Sequence, residues 1–405
     1  MKTDLKEWPH HVWLDKPPLT RLVASIIAQE VADNRGTDLQ RLRPDQWDDG
    51  TALIDAGLAL DSLERTNCAA ALNEAFHLSE FGAEDYLLAC ETLGEWVHIV
   101  ALSIANGPGQ ITFHTSGSTG APKAVTHSVA QLLAEVDFWS ERFVARQRIV
   151  SLVPPHHIFG LIFTVMLPQR MEVPLIDARY TGVGALKDAL HEPGTLVVGA
   201  PVHWQYLARS ILRFPPDVEG IASTAPMPHQ LAQQLHAQRL ETLTQIYGST
   251  ETGGVGYRVS HADPYTLLPV WRLVEEGDDL LLVYRRDGTR QELMDHIERG
   301  ENDTFIVTGR RDGAVQVGGT NVFPIRVAEA LDGHVDVKSC SVRFCTTRQR
   351  LVAFVVPEDD GADIGLLEDT LRAYCTQQFT AAACPAAYSF GSALPRNEMG
   401  KAVAW

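Results

Sequence analysis

What the chain lacks narrows its functions first. It holds no run of about 18 apolar residues, so no stretch reads as a membrane span. The start, MKTDLKEWPHHVW, has no apolar core segment and does not read as a secretory signal. Positive charge is scarce: 34 Lys and Arg stand against 51 Asp and Glu, a formal net charge of -17. A nucleic-acid binder would carry a basic footprint, so nucleic-acid and polybasic membrane-surface partners are set aside. A locally positive cleft for an anionic substrate remains open. The six cysteines (Cys68, Cys90, Cys340, Cys345, Cys375, Cys384) form no CxxC pair and no zinc spacing. They read as buried thiols in a reducing, cytoplasmic setting. No GxSxG elbow for a serine nucleophile occurs. What remains is ordinary globular composition, 45% hydrophobic and 21% charged, and 405 residues suggest two or three domains.

The texture changes along the chain. Leu19, Leu22, Val23, Ile26, Ile27 and Val31 recur at helical spacing within LTRLVASIIAQEVAD. A polar, Pro-containing loop follows. A second helical pattern runs from Leu63 to Phe76, with Asp61 or Ser62 as its N-cap. A third lies in ETLGEWVHIVALSI, with Thr92 near its start. Residues 1–104 are therefore expected to be an all-helical unit, and ANGPGQ at 105–110 a linker. From QITFHTSG onward, short β-branched runs (RIVSLVP, EVPLID, GTLVVGAP) alternate with helical ones (SVAQLLAEVDFWSERF, PHQLAQQLHAQRL). That alternation predicts an α/β sheet. Shorter, turn-bounded runs between about 255 and 307 predict a small antiparallel β subdomain, and residues 309–405 a small α+β domain.

The most informative string is ITFHTSGSTGAPKAVTHS, residues 111–128. Amides of a glycine turn can converge on phosphate oxygens, Ser and Thr hydroxyls add donors, and Lys123 adds charge. The usual NTPase loop places Gly-Lys-Ser/Thr at its end. Here Pro122 precedes Lys123 and Ala124 follows it, so no hydroxyl stands ready for magnesium. A bare Gly/Ser/Thr turn would be only a turn. Other segments add to it: YGSTE at 247–251, VTGRRDG at 307–313, LPRNEMGK at 394–401, PPHHIFG at 154–160 and, weakly, STAP at 223–226. In this order and near this spacing they resemble the signatures of the adenylate-forming superfamily of acyl- and aryl-acid ligases.

The resemblance implies roles. Thr115, Ser116, Gly117, Ser118, Thr119, Gly120 and Lys123 would hold the ATP phosphates. Tyr247 would stack on adenine beside Gly248, Thr250 would meet the α-phosphate, and Glu251 would hold Mg²⁺. Asp295, fifteen residues before Arg310, would share the ribose with it. Asp312 would be the hinge, Lys401 the catalytic lysine of adenylate formation, and His157 the edge of the carboxylate pocket. Plainer readings compete: Lys401 as a solvated tail, Glu251 as a turn cap, His157 as a loop histidine confused with His156. The match also departs from the family. Asp295 follows Glu251 by only 44 residues, Gln316 stands where a Lys is common, and Arg326 and Ala328 replace acidic residues. It covers residues 110–405, with 110–308 as adenylating core and 309–405 as a mobile C-terminal domain.

The first hundred residues resemble an acyl carrier protein instead, through DSLERTNCAAALNEAF and TLGEWV. Ser62 would then carry phosphopantetheine, beside a phosphate-friendly helix N-terminus. The alternative is a capping serine in a helical docking domain that is never modified.

The chemistry follows from the reactants. A carboxylate is a poor acyl donor because its leaving group would be oxide. Transfer to the α-phosphate of ATP supplies AMP as leaving group, and two anions must be brought together by cations and aligned donors. The expected reaction is carboxylate plus ATP giving acyl adenylate and pyrophosphate, then thioester plus AMP. The acceptor thiol would be an arm on Ser62 loaded by a phosphopantetheinyl transferase, a separate carrier protein, or free CoA with an inert first domain. SLVPPHHIFGLIFTVMLP also looks like ligases of aryl-polyene pathways, hinting at an aromatic acid. A reading of another class is a non-catalytic carrier module with a degenerate adenylating fold.

Overall fold

The computed structural model describes residues 9, 12–54, 57–115, 123–260, 263–276, 279–310, 313–359 and 361–394. Helix α1 (Lys16–Arg35) buries Leu19, Leu22, Val23, Ile27 and Val31 and ends at Gly36 in the left-handed region. Helix α2 (Ser62–Phe76) is started by Asp61, not Ser62. The Asp61 carboxylate accepts the Glu64 N–H, and Glu64 accepts the Asp61 N–H in return. Helix α3 (Leu93–Asn106) opens with the same reciprocal pair from Thr92 and Glu95. The polar stretch after α1 also holds short helical turns at Leu39–Leu42 and Pro44–Gln46.

Strands β1 (Gln110–Thr115) and β2 (Lys123–Ser128) form an antiparallel hairpin. Helix α4 (Val129–Arg142) follows. The main sheet takes β3 (Arg148–Ser151), β4 (Leu175–Asp177), β5 (Thr195–Gly199), β6 (Val218–Ala222), β7 (Thr242–Ser249), β8 (Gly253–Arg258) and β9 (Tyr265–Leu267). Its order is β9-β8-β7-β6-β5-β3-β4. The strands from β4 through β7 run parallel, while β8 and β9 return antiparallel. Helices α5 (Val183–Leu190), α6 (Pro201–Ser210) and α7 (His229–Ala237) cross between the parallel strands. Val150, Val197, Trp204, Leu207 and Leu235 meet in the core they enclose. β10 (Trp271–Glu276), β11 (Asp279–Tyr284) and β12 (Arg290–Glu292) make the small antiparallel sheet.

Strand β6, VEGIA, had no distinct sequence signal because Gly220 sits inside it. A Cβ there would lie 2.4 Å from the Trp204 ring, so packing the indole excludes any side chain.

The described residues fall into two compact units. One lies within 1–115, 122–292 and 299–305, the other within 293–298 and 306–394. The second contains β13 (Asp295–Arg299) and β14 (Thr304–Arg310) for most of their length. The β15 (Val315–Val317) and β16 (Thr320–Val322) hairpin and helix α8 (Pro324–Asp332) come next. β17 (Val337–Cys345), β18 (Arg350–Pro357), α9 (Ile364–Gln378) and β19 (Ala387–Phe390) complete it. Leu331, Leu351, Val355, Leu371 and Cys375 form its core. The architecture is mixed α/β with helices at the start, as the alternation predicts. All six cysteines are free thiols. Four are buried, and Cys345 and Cys384 are partly exposed. Burial pushes the Cys90 thiol up to about 11 and that of Cys68 to about 12. No helix among the described residues is long and apolar enough to cross a membrane.

Candidate active site

The glycine-rich string becomes a β-hairpin. Thr115 and Lys123 pair directly across it, so residues 116–122 connect them. Ser116, Gly117, Ser118, Thr119 and Gly120 therefore lie outside the described residues, as do Asp312 and Lys401. The hairpin is held by the helical segment. His77 Nε2 lies 3.0 Å from the Thr112 hydroxyl, which also meets Thr126 at 2.7 Å, and His114 pairs with Glu74 at 3.2 Å.

Side chains alternate along β2, so Lys123, Val125 and His127 share a face. Lys123 is exposed and His127 is buried. His127 Nε2 lies 2.6 Å from the Thr250 carbonyl. A carbonyl only accepts, so the ring donates from Nε2, which sets its tautomer. Burial lowers the His127 pKa; the bond to Thr250 and the charge of Glu251 oppose that shift.

Strand β7 delivers Tyr247 and Gly248 and then turns into β8. The Tyr247 ring is 5.5 Å from Phe305 and 5.7 Å from Tyr265. Gly248 approaches the returning strand so closely that a Cβ would sit 2.2 Å from the Gly253 carbonyl oxygen. The buried Thr252 hydroxyl closes the turn: it accepts the Ser249 N–H at 3.1 Å and donates to the Gly253 carbonyl at 2.8 Å. Thr250 and Glu251 stand half-buried at the tip. Beyond them the Glu135 carboxylate of α4 accepts the Gly254 N–H at 3.0 Å and the Trp139 indole N–H at 3.1 Å. Glu135 is 4% exposed. Burial raises its pKa, and the two donors oppose the rise.

Among the described residues no three His, Cys, Asp or Glu side chains gather into a metal cage. A lone carboxylate such as Glu251 is compatible with magnesium, which takes one or two carboxylates with waters and phosphate oxygens. A zinc-type site would need more ligands.

His157 caps a helical run made of Ile158–Leu161, a π-turn Ile162–Met166 and Leu167–Met171. Its neighbour Ile158 packs on the β7–β8 turn, 3.8 Å from where a Gly253 Cβ would be. The His157 ring is exposed, yet desolvation by the surrounding protein, with the charge of Arg179, lowers its pKa. His156, 4.4 Å away ring to ring, faces inward, with Nδ1 2.7 Å from the Ser25 hydroxyl of α1. Desolvation, His157 and Arg179 hold His156 well below its ordinary pKa. Arg179 grips Asp177 in a fork at 2.9 and 2.6 Å, and Arg21 of α1 lies 3.7 Å from the same carboxylate. Arg21 also donates to the Thr164 carbonyl in the π-turn. α1 is thus bonded to the segment that contains His157.

Ser62 is exposed at the first position of α2. In the second unit, half-buried Asp295 opens β13 and Arg310 ends β14, and the Thr308 hydroxyl donates to the His296 carbonyl between those strands. Sequence reading overlooked His127, Glu135 and the Arg21–Asp177–Arg179 group. Only His127 had a usable signal, a histidine four residues past Lys123 on the same strand face.

Comparison with known proteins shows the family. Residues 110–275 match the AMP-binding enzyme family, and residues 326–401 match the AMP-binding enzyme C-terminal domain. The chain is 34% identical to a 4-coumarate–CoA ligase of Halorhodospira halophila over 96% of its own length and 99% of that protein. It is 36% identical to a 4-coumarate–CoA ligase of Rhodobacter capsulatus over 95% and 99%. The o-succinylbenzoate–CoA synthetase of Bacillus subtilis shares the fold, with a TM-score of 0.59 at 16% identity over 94% of this chain and 91% of that one.

Proposed function

The chain belongs to the AMP-binding enzyme family and is an AMP-forming acid–thiol ligase; from that premise we propose that it activates an aryl acid of the 4-coumarate type and passes it to the thiol of coenzyme A. The similarity over nearly the whole chain to 4-coumarate–CoA ligases carries this reading. It replaces the carrier-protein thiol expected from the first hundred residues, since the ligases that match those residues too are named for CoA. The packing of α1 supports the change: Arg21 and Ser25 are bonded to Thr164 and His156, in the segment that contains His157.

The chain's residues would act as follows. Lys123 and the amides of residues 116–120 receive the β- and γ-phosphates. Thr250 offers its hydroxyl to the α-phosphate, and Tyr247 its ring to adenine. Glu251 holds magnesium, which when bound neutralises phosphate charge and so eases attack by an anion. His157 borders the acid. Asp295 and Arg310 take the ribose, and Lys401 bridges carboxylate and α-phosphate. The carboxylate oxygen then bonds to the α-phosphorus as pyrophosphate leaves. The CoA sulfur, losing its proton, attacks the acyl carbon and AMP departs. Movement at Asp312 separates the two half-reactions, as conformational steps do in many enzymes.

ATP–pyrophosphate exchange with a panel of acids tests the first half, and thioester formation with CoA tests the second. Exchange is expected to be strongest with 4-coumarate or a related cinnamate, and no exchange with any aryl acid would sink the proposal. Lys401→Ala is expected to lower exchange by about 10²–10³-fold with unchanged melting. A mass gain on Ser62 after treatment with a phosphopantetheinyl transferase would return the acceptor to a carrier arm.

A further inference from the structure

We infer that His127 is a positioning residue for the reaction: by holding the Thr250 carbonyl it sets the direction of the Glu251 carboxylate, while Glu135 fixes the far side of the same turn. The inference rests on the reading of Thr250 and Glu251 as ATP- and metal-facing.

The geometry makes the case. The Thr250–Glu251 peptide is planar and trans, so fixing its carbonyl oxygen also fixes the Glu251 N–H on the opposite side. The 2.6 Å bond from His127 Nε2 does that from β2. Glu135 accepts the Gly254 N–H at 3.0 Å from α4. The turn between these points is closed by Thr252 and by the contact that demands Gly248. Rotation of the Glu251 backbone is thus blocked from two sides, and its side chain leaves from a fixed base. Both holding residues come from the chain that directly follows the glycine loop, namely β2 and α4. Strand β2, which begins at Lys123, and the turn that carries Glu251 are consequently joined by a direct bond. A His tautomer fixed by its acceptor is also a common way to orient a site. His127 need not touch ATP to act, so it is not a catalytic residue.

The test uses the full chain, 4-coumarate, ATP–pyrophosphate exchange and a Mg²⁺ titration, with melting as the control for folding. In His127→Gln the amide nitrogen can stand near the position of Nε2. In His127→Asn it stands near that of Nδ1 and cannot reach Thr250. H127Q is expected to stay within about threefold of the parent in the Mg²⁺ needed for half-maximal rate, and H127N to need roughly 10–100-fold more. In a Glu251→Gln background the H127N effect should largely vanish, because both changes act on one carboxylate. Equal behaviour of H127N and H127Q, or an H127N effect that persists in full beside E251Q, overturns the inference. If E251Q leaves the Mg²⁺ requirement unchanged, the reading of the metal site falls and the inference falls with it. If E251Q shifts that requirement and H127N does not, only the positioning role is lost. Should H127N fail to fold, nitrogen NMR of the parent labelled in histidine decides. A proton on Nε2, with a signal that moves when Mg-ATP is added, is expected; the other tautomer or an unmoved signal overturns it.

Discussion

The two hairpins that carry the ATP motifs are held in opposite ways. The β1–β2 hairpin is anchored along its strands, by His77 on Thr112 and Glu74 on His114. The β7–β8 hairpin is anchored at its tip, by His127 on Thr250, Glu135 on Gly254 and Thr252 across the turn. The difference suits the roles proposed for the two hairpins. A loop that binds phosphate through many amides tolerates small displacements, since each bond is one of several. A lone carboxylate that holds a metal has no such redundancy, and an error in its direction is lost binding. The tip of the second hairpin is accordingly built with buried, directional bonds.

Substitutions can break that contrast, beginning with the largest effect. Gly248→Ala places a Cβ 2.2 Å from the Gly253 oxygen. The tip has to open, and pyrophosphate exchange should fall by at least about 100-fold. Near-normal exchange would show that the tip is not as closely fitted as described. Glu135→Leu strands two buried donors, Gly254 N–H and the Trp139 indole. It should lower unfolding stability by roughly 2–5 kcal/mol, read from urea denaturation. Glu135→Gln keeps one acceptor and should cost less.

Changing pH separates the two holding residues. The folded pKa of His127 is lowered from its ordinary 6.5, so its contribution is present above that value and is lost as pH falls through the folded pKa. Glu135 has a raised pKa, so its contribution is present below the ordinary 4.5 and fades as pH rises. Between about pH 7 and pH 5, H127Q should therefore show a flatter stability curve than the parent. An unchanged slope would mean that His127 is not buried neutral.

The smallest effect belongs to the strand anchors of the first hairpin. Thr112→Val removes the contacts to His77 and Thr126. It should cost about 1 kcal/mol in stability with little change in exchange. A large loss of exchange would mean that both hairpins are held equally tightly.

How much was legible can be judged residue by residue. The start of α2 could be narrowed to Asp61 or Ser62, because a capping box is written within four positions. Thr92 was legible for the same reason. TSGSTGAPK and YGSTE identified the ligase family before any coordinates. The acceptor thiol was read first as a carrier arm because DSLERTNCAAALNEAF looks like a carrier helix locally, whereas the relatives that match nearly the whole chain are named for CoA. That pattern says nothing of α1 being bonded to Thr164 and His156. Strand β6 escaped notice because Gly220 weakens a strand signal, while its real reason is the Trp204 ring.

The sequence by itself determined the family of this protein, where helices begin, and which strands alternate with helices. These depend on residues within a few positions of one another, where side-chain spacing and capping act. Only the tertiary structure decided that His127 is buried and donates to a carbonyl 123 residues away, and that Glu135 meets an amide 119 residues away. Such bonds gain their strength and direction from burial, and no local pattern of residues states which distant groups will be buried together.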